Sequence, residues 1–223
     1  MQSTYTKLFD FLNRLAANND RAWFADHKQE YDDLRKAWLG DLGRLINAMS
    51  EWLPGMQTQT PASCAYRIYR DTRFSPDKTP FKTYFSAAFS PYGRKTHYAS
   101  FYLDMGIDES STGLYGGLWC PEAPVLSKLR HAIVDNIEEF TEIISAPAMK
   151  RDFPGWIGNR LKTIPKGWER NHPQAELLRL KDYGKFHHCS HTFFNDPDWP
   201  IRAAELYHVL LPLIEFFNYS IDE

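Results

Sequence analysis

The fold is decided by the stretch TYFSAAFSPYGRKTHYASFYLD, residues 83–104, in which two aromatic-rich runs flank a turn. The runs at 83–90 and 97–104 are short and bounded by turn residues, which is typical of half-buried strands. Between them, Pro91-Tyr92-Gly93-Arg94 favours a hairpin turn, and so short a link requires antiparallel pairing. Similar runs are CAYRIYR (64–70) and GLYGGLW (113–119). We therefore predict an antiparallel meander of about four strands over roughly 63–119.

Apolar residues at helical spacing occur on both sides of this meander. Before it, we predict helices at 4–17 and from Trp23 to Trp52, ended by Leu53-Pro54-Gly55. After it, we predict helices between Pro121 and Pro147, after the capping box Asn171-His172-Pro173-Gln174, and after Asp198, with a kink or an early end at Pro212. This order predicts the α+β class, with the sheet packed against N-terminal and C-terminal helices. No repeat or linker divides the chain, so one domain over residues 1–223 is expected.

Composition and charge exclude several classes of protein. The chain is 43% hydrophobic and 24% charged, as globular proteins are, and a net charge of -2 disfavours binding to nucleic acid. No leader or long apolar run is present, which predicts a cytoplasmic protein that does not enter a membrane. The three cysteines are too few and too far apart for a disulfide framework.

The stretch RIYRDTRFSPDKTPFKT, residues 67–83, concentrates charge beside aromatic rings. Its five cations are Arg67, Arg70, Arg73, Lys78 and Lys82, and its two acids are Asp71 and Asp77, so the local charge is +3. Guanidinium groups suit the planar oxygens of phosphate or carboxylate. A second basic segment, 160–170, contains Lys162 and Lys166, with Trp168 beside them. If the two segments converge, they form an anion pocket with aromatic walls. If they do not, Asp71 and Asp77 pair with their neighbours and brace the loop.

Several short motifs are spread over roughly residues 5–215: Arg67-Ile68-Tyr69-Arg70-Asp71, Arg73-Phe74-Ser75, Asp77 to Thr83, Asn19 with Trp23-Phe24 and His27, Gly113 to Gly117 with Pro121, Leu161-Lys162, Pro165 to Trp168, His172-Pro173, and Leu177 to Lys181. Together they resemble the family catalogued as domain of unknown function 2461, which is found in bacteria and fungi. It implies candidate residues but no activity.

Candidate catalytic groups are Asp71 and Asp77, whose neighbouring cations should lower their pKa values and make them bases or metal-facing carboxylates. Asp104, at a strand end, could join them. The common hydrolase, NTPase, zinc-protease and dinucleotide motifs are absent, so whether the protein is an enzyme stays open. No cofactor is predicted. No metal is predicted either, because in a strand the adjacent ligands of His187-His188-Cys189-Ser190-His191 would point to opposite faces.

Two further features have both a structural and a functional interpretation. Gly113, Gly116 and Gly117 favour a bulge or close helix packing over backbone contact with a ligand. His27 lies on the apolar stripe of the second helix, which favours a core or rim histidine over a catalytic base.

The resulting hypothesis is that the loop at 67–82 binds an anionic or phosphorylated small molecule, with hydrolase-type chemistry left open. The alternative is a non-catalytic protein-interaction module in which the same charges form a structural ion-pair network. Nucleic-acid binding through 67–82 and 160–170 is a third, disfavoured possibility, and the sequence does not predict an oligomeric state.

Overall fold

The computed structural model describes residues 3–222. Its helices are α1 (Thr4–Ala17), α2 (Arg21–Asp26), α3 (Lys28–Ser50), α4 (Pro61–Cys64), α5 (Ala123–Asp135), α6 (Ile137–Ser145), α7 (Pro147–Asp152), α8 (Ala175–Leu178) and α9 (Trp199–Asp222). Its strands are β1 (Tyr84–Phe89), β2 (Ser100–Gly106), β3 (Gly113–Leu118) and β4 (Tyr183–His188). The strands form one antiparallel sheet in the order β1-β2-β3-β4. The predicted α+β class and four-stranded meander are confirmed.

One strand of this sheet is not where the sequence predicted it. The fourth strand is β4 at Tyr183–His188, outside the predicted range of 63–119. The run at 64–70 instead begins in α4, where Pro61 and a capping box between Thr60 and Ser63 start a helical turn. Its remainder makes only isolated bridges, from Ala65 to Ala87 and from Tyr69 to Phe81. Pro80 accepts from the Arg70 amide but has no amide to donate in return, so the pairing does not extend past this point.

Several predicted helix boundaries shift. The long second helix is divided at His27, which caps α3 and whose Nδ1 lies 2.8 Å from the carbonyl of Trp23. The predicted capping box at Asn171 is wrong: α8 begins only after Gln174, whose amide donates to Nδ1 of His172 at 3.1 Å. The early end predicted at Pro212 is also wrong, because α9 continues to Asp222 and a proline removes only one amide donor from a long helix.

The chain divides into two compact units. The first contains residues up to Arg94, Tyr102–Leu114 and His188–Glu205, and the second contains Lys95–Phe101, Tyr115–His187 and residues from Leu206 onward. The boundaries fall inside β2, β3, β4 and α9, and one domain over 1–223 stays a prediction. Among residues 3–222, no helix has the length and apolar character needed to cross a membrane.

Each unit has its own aromatic core. In the first unit, Trp38 of α3 meets Phe85 of β1 edge-on at 5.1 Å between ring centroids. In the second unit, Tyr183 of β4 meets Phe217 of α9 at 5.9 Å, and Phe217 also contacts Phe140 of α6. Burial of such rings is the main favourable contribution to folding.

Close packing explains two glycines of β3 in the second unit. A Cβ on Gly116 would lie 2.4 Å from Cδ1 of Leu210, and one on Gly117 would lie 2.1 Å from the carbonyl oxygen of Tyr183. Gly117 also has φ +134°, which side chains rarely adopt. The expected close helix packing is confirmed at Gly116, which meets α9, whereas Gly117 packs against the backbone of the neighbouring strand β4.

We expect Gly117→Ala to lower the free energy of unfolding by about 3 kcal/mol or more, because it adds a clash with backbone to an unfavourable φ. Gly155→Ala is the matched control, since Gly155 also has positive φ (+66°) but open space around its Cα. Its expected cost is only about 1–2 kcal/mol. Urea unfolding of both variants measures the difference, and equal costs would contradict the packing argument.

Candidate functional site

The charged loop at 67–82, in the first unit, neutralises two of its arginines with its own carboxylates. Arg70 is ion-paired with Asp77 and also donates to the hydroxyl of Thr79. Arg73 holds Asp71 through two parallel bonds, with Nε 3.0 Å from Oδ1 and a terminal nitrogen 2.7 Å from Oδ2. The Arg70 side chain is only 25% exposed, whereas that of Arg73 is 77% exposed. These pairs close the loop on itself.

The same contacts determine the charge state of the two predicted catalytic residues. The pKa of Asp71 is lowered to about 2, chiefly by the hydrogen bond from Arg73, and that of Asp77 is lowered to about 2 by the Thr79 amide and then by Arg70. Both carboxylates are therefore ionised at neutral pH and are poor proton donors. Lys78 is also engaged, because its Nζ donates to the carbonyl of Thr72 at 2.9 Å. A catalytic role for Asp71 or Asp77 stays a prediction.

Lys82 lies just before β1, where the main chain is held from two sides. The Asn19 side chain bonds both backbone groups of Phe81, at 3.0 Å to its carbonyl and 3.1 Å from its amide. The Lys82 amide donates to the carbonyl of Ile68 at 2.8 Å, and Phe24 stacks on Phe81 at 4.1 Å. Two of the motif segments, around Asn19 and around Lys82, thus meet at the start of β1 and fix its direction.

Lys82 contributes to a surface that we call the tyrosine face, defined by Tyr66, Lys82, Tyr84, Arg94, Tyr102 and Asp104. The Lys82 Nζ lies 5.2 Å from the ring centroid of Tyr66 and 5.4 Å from that of Tyr84. On the Tyr66 ring, the Arg94 guanidinium carbon lies at 5.4 Å, and the same guanidinium donates to the carbonyl of Ala65. Cation–π contacts of this kind orient the two cations without neutralising them.

Asp104 is the carboxylate of this face. Side chains alternate along β2, so Phe101, Leu103 and Met105 are buried on one side while Tyr102 and Asp104 are half-buried on the other. Gly106 completes the second row, and a Cβ there would lie 3.3 Å from Oδ1 of Asp104. The glycine therefore leaves room beside the carboxyl group.

The electrostatics of this face differ from those of the loop. Burial raises the pKa of Asp104 to about 7, the nearby Asp108 adds to the rise, and the charge of Lys82 opposes it. Burial also lowers the pKa of Lys82, and the positive charge of the exposed Arg67 lowers it further. A carboxyl and an amine displaced toward neutrality on one surface are frequent features of functional sites.

Positive charge on and beside this face is only partly neutralised, and the cations concerned are Lys82 and the neighbouring Arg67, whose charge acts on Lys82. Within the described residues 3–222, neither Arg67 nor the Lys82 ammonium forms an ion pair or a side-chain hydrogen bond. Around pH 7 a substantial fraction of Asp104 is neutral, so the face carries net positive charge. This arrangement can accept an anion, and the carboxyl group can donate or accept a proton near neutral pH.

The three candidates from the second basic segment all lie in the second unit. Lys162 lines a pocket, Lys166 is exposed, and Trp168 packs against His131 at 4.7 Å and His172 at 5.2 Å between ring centroids. Trp168 is therefore held by two histidines. The convergence of segment 160–170 with 67–82 stays a prediction.

The histidine-rich run near residue 190 is held by contacts with residues that are distant in the sequence. Nδ1 of His187 lies 2.7 Å from the carbonyl of Asp152, and Nε2 of His191 lies 2.9 Å from that of Gly106. The His191 ring also stacks on Phe9 at 3.7 Å. In the part of the chain from 3 to 222, no three His, Cys, Asp or Glu residues are grouped so that they could hold a metal ion.

Sequence reasoning named Lys82 and Arg67 but missed the tyrosines and Arg94, and it considered Asp104 only as an addition to Asp71 and Asp77. A signal for them exists in the alternation of the strands. Tyr102, Asp104 and Gly106 share one side of β2 while the apolar residues take the other. Burying a carboxylate in the middle of a half-buried row costs folding free energy. A residue retained at such a position is a candidate for a functional role.

We expect Asp104→Asn to stabilise the protein at pH 8 by on the order of 2 kcal/mol. The folded-state pKa of Asp104 is raised to about 7, so the folded protein binds this proton more tightly than the unfolded chain does. The wild type therefore loses stability as pH rises from about 4 through 7, whereas the amide stays neutral. Chemical denaturation at pH 4 and pH 8 should show a gain only at the higher pH.

Asp77→Asn is a control for which the opposite dependence of stability on pH is expected. Its carboxylate has a lowered pKa, so its contribution to stability is present above the unfolded pKa and is lost only as pH falls toward about 2. Asparagine at position 77 should therefore not stabilise at pH 8. A destabilisation by Asp104→Asn at pH 8 equal to that of Asp77→Asn would show that Asp104 is an ordinary paired carboxylate.

Comparison with known proteins gives one match. The family described as "Conserved hypothetical protein (DUF2461)" matches residues 7–216. No curated protein and no solved structure matches the chain. The match spans nearly the whole chain and agrees with the resemblance of the motifs around Asn19, Arg67 and Lys82. The chain therefore belongs to the DUF2461 family of conserved hypothetical proteins.

Proposed function

We propose that the tyrosine face binds a small anionic molecule through Lys82 and Arg67, and that Asp104 exchanges a proton with the bound molecule. The observation that carries the proposal is the Lys82 ammonium, which lies 5.2 Å and 5.4 Å from the Tyr66 and Tyr84 ring centroids without an ion-pair partner in residues 3–222. Arg67 adds positive charge near it, and Asp104 is the carboxyl group that its charge acts on. Arg70, Arg73 and Lys78, which the sequence also suggested as ligands, are engaged by the loop itself. The proposed anion ligands are therefore Lys82 and Arg67 and not all five cations of the loop.

The rings of the face favour a small ligand over an inorganic ion alone. Tyr66 and Tyr102 lie with ring centroids 6.0 Å apart, and the Tyr84 ring centroid lies 5.4 Å from the Lys82 ammonium. Binding sites for small molecules are mostly apolar and aromatic with a few polar groups that fix orientation. A ligand with a carboxylate or phosphate group and a planar or apolar part would use both features.

Because Asp104 lies on the proposed site, anion binding should be coupled to proton uptake. A bound anion repels the ionised carboxylate, so anion binding should raise the pKa of Asp104 and take up a proton near pH 7. In its neutral form the carboxyl group can donate a hydrogen bond to an anionic oxygen. If the site carries out hydrolase-type chemistry, Asp104 is the proton-transfer group we would assign, because Asp71 and Asp77 stay ionised.

We expect sulfate, which does not titrate near neutral pH, to bind more weakly at pH 8.5 than at pH 6, because Asp104 becomes an anion over that range. Lys82→Met should weaken sulfate binding about tenfold or more, since a hydrogen bond to a charged group contributes about 1.5–3 kcal/mol. Asp104→Asn should retain binding and abolish its pH dependence. Isothermal titration calorimetry at low ionic strength measures all three effects.

Arg73→Ala is the matched control, because it removes one positive charge from the same loop but a charge that Asp71 already neutralises. It should change sulfate affinity by less than about threefold, and equal weakening by Arg73→Ala and Lys82→Met would indicate general attraction rather than a site. Absence of saturable binding by sulfate and by a dicarboxylate such as oxalate would contradict the proposal.

A non-catalytic interaction module is the second candidate function. The ion pairs Arg70–Asp77 and Arg73–Asp71 close the loop, and Phe74 between them is 93% exposed. An exposed aromatic side chain on a braced loop suits contact with a protein partner. This candidate makes Phe74 the important residue, whereas anion binding makes Lys82 important, so variants at these two positions separate them.

A further inference from the structure

The second unit contains a strongly basic segment of its own. Residues 159–181 include six lysines and arginines against Glu169 and Glu176, a local charge of +4 in a chain whose total is -2. So strong a local imbalance creates a positive potential that attracts anions. This segment belongs to the second unit, whereas the residues of the tyrosine face belong to the first.

Backbone pairing gathers the cations of this segment. Arg160 and Leu180 form an antiparallel bridge, and the amide of Leu161 donates to the carbonyl of Arg179 at 2.7 Å. Nε of Arg179 donates back to the carbonyl of Leu161 at 3.0 Å. The guanidinium of Arg179 is therefore fixed beside the chain that leads into Lys162.

Around this point lies an open pocket of about 550 Å³, lined by Lys162, Thr163, Ile164, Arg170, Ala175 and Arg179. Within residues 3–222, a single carboxylate is paired with these cations. Glu176 accepts from Arg179 at 3.0 Å and also from Arg160 at 3.2 Å, so it is shared. Over residues 3–222, Lys162 and Arg170 form no ion pair.

We propose that this pocket binds the phosphate group of a small phosphorylated molecule. Lys162, Arg170 and Arg179 would hold the phosphate oxygens, and the Thr163 hydroxyl can donate to one of them. Ile164 and Ala175 give the pocket an apolar wall for the rest of the ligand. The volume is in the range of small-molecule sites, which favours a metabolite-sized ligand over a polymer.

The experiment uses the full chain carrying Lys82→Met, so that binding at the tyrosine face is weakened. A negative result for this pocket is then distinct from a negative result for the tyrosine face. Pyrophosphate is the probe, titrated by calorimetry at low ionic strength. We expect saturable binding that Lys162→Ala and Arg170→Ala each weaken about tenfold or more. The amide NMR signals of Thr163 and Arg170 should shift on binding.

Lys181→Ala is the matched control, because Lys181 is an exposed lysine of the same segment but not part of the pocket lining. It should weaken pyrophosphate binding less than about threefold. The proposal is wrong if pyrophosphate does not bind saturably, or if Lys181→Ala weakens it as much as Lys162→Ala does. It is also wrong if a short single-stranded oligonucleotide binds more tightly than pyrophosphate and all three variants weaken the oligonucleotide equally, since that pattern describes an extended nucleic-acid surface.

Discussion

The ionised form of Asp104 is less stable in the folded protein than in water, because burial removes its solvation and Lys82 only partly compensates. Both groups are fixed by the fold: Asp104 by the alternation of β2, and Lys82 by the bonds that Asn19 and Ile68 make to the chain just before β1. A carboxyl group in this position is poised to change protonation when charge arrives beside it. The proposed function depends on that property.

The cations of the 67–82 loop fall into two sets with different consequences. Arg70 and Arg73 meet carboxylates of the same loop, which lowers the pKa values of Asp71 and Asp77 and braces the loop. Lys82 instead faces aromatic rings, and Arg67 is exposed. The structure thus separates the charges that pair within the loop from those that do not, and the proposed anion site uses only the second set. The local net charge of +3 could not distinguish the two sets of cations, because it counts paired and unpaired cations alike.

The sequence predicted those parts of the fold that depend on local periodicity. The hairpin strands β1 and β2, helix α1 and the overall α+β class follow from apolar spacing and from turn residues. It misplaced the fourth strand, because β4 pairs with β3 across more than sixty residues of intervening chain and its histidines resemble a polar loop. At the candidate site, Lys82 could be named from its motif. Tyr66, Arg94 and Asp104 could not, since their proximity depends on pairing between segments that no local pattern reveals.

The decisive measurement for the proposed site is the pKa of Asp104, obtained from the pH dependence of its carboxyl ¹³C chemical shift in the wild type and in Lys82→Met. We predict a pKa of about 7 in the wild type and a higher value in Lys82→Met, because the ammonium favours the ionised form. A wild-type pKa near the ordinary value of about 4, unchanged in the variant, would contradict the account.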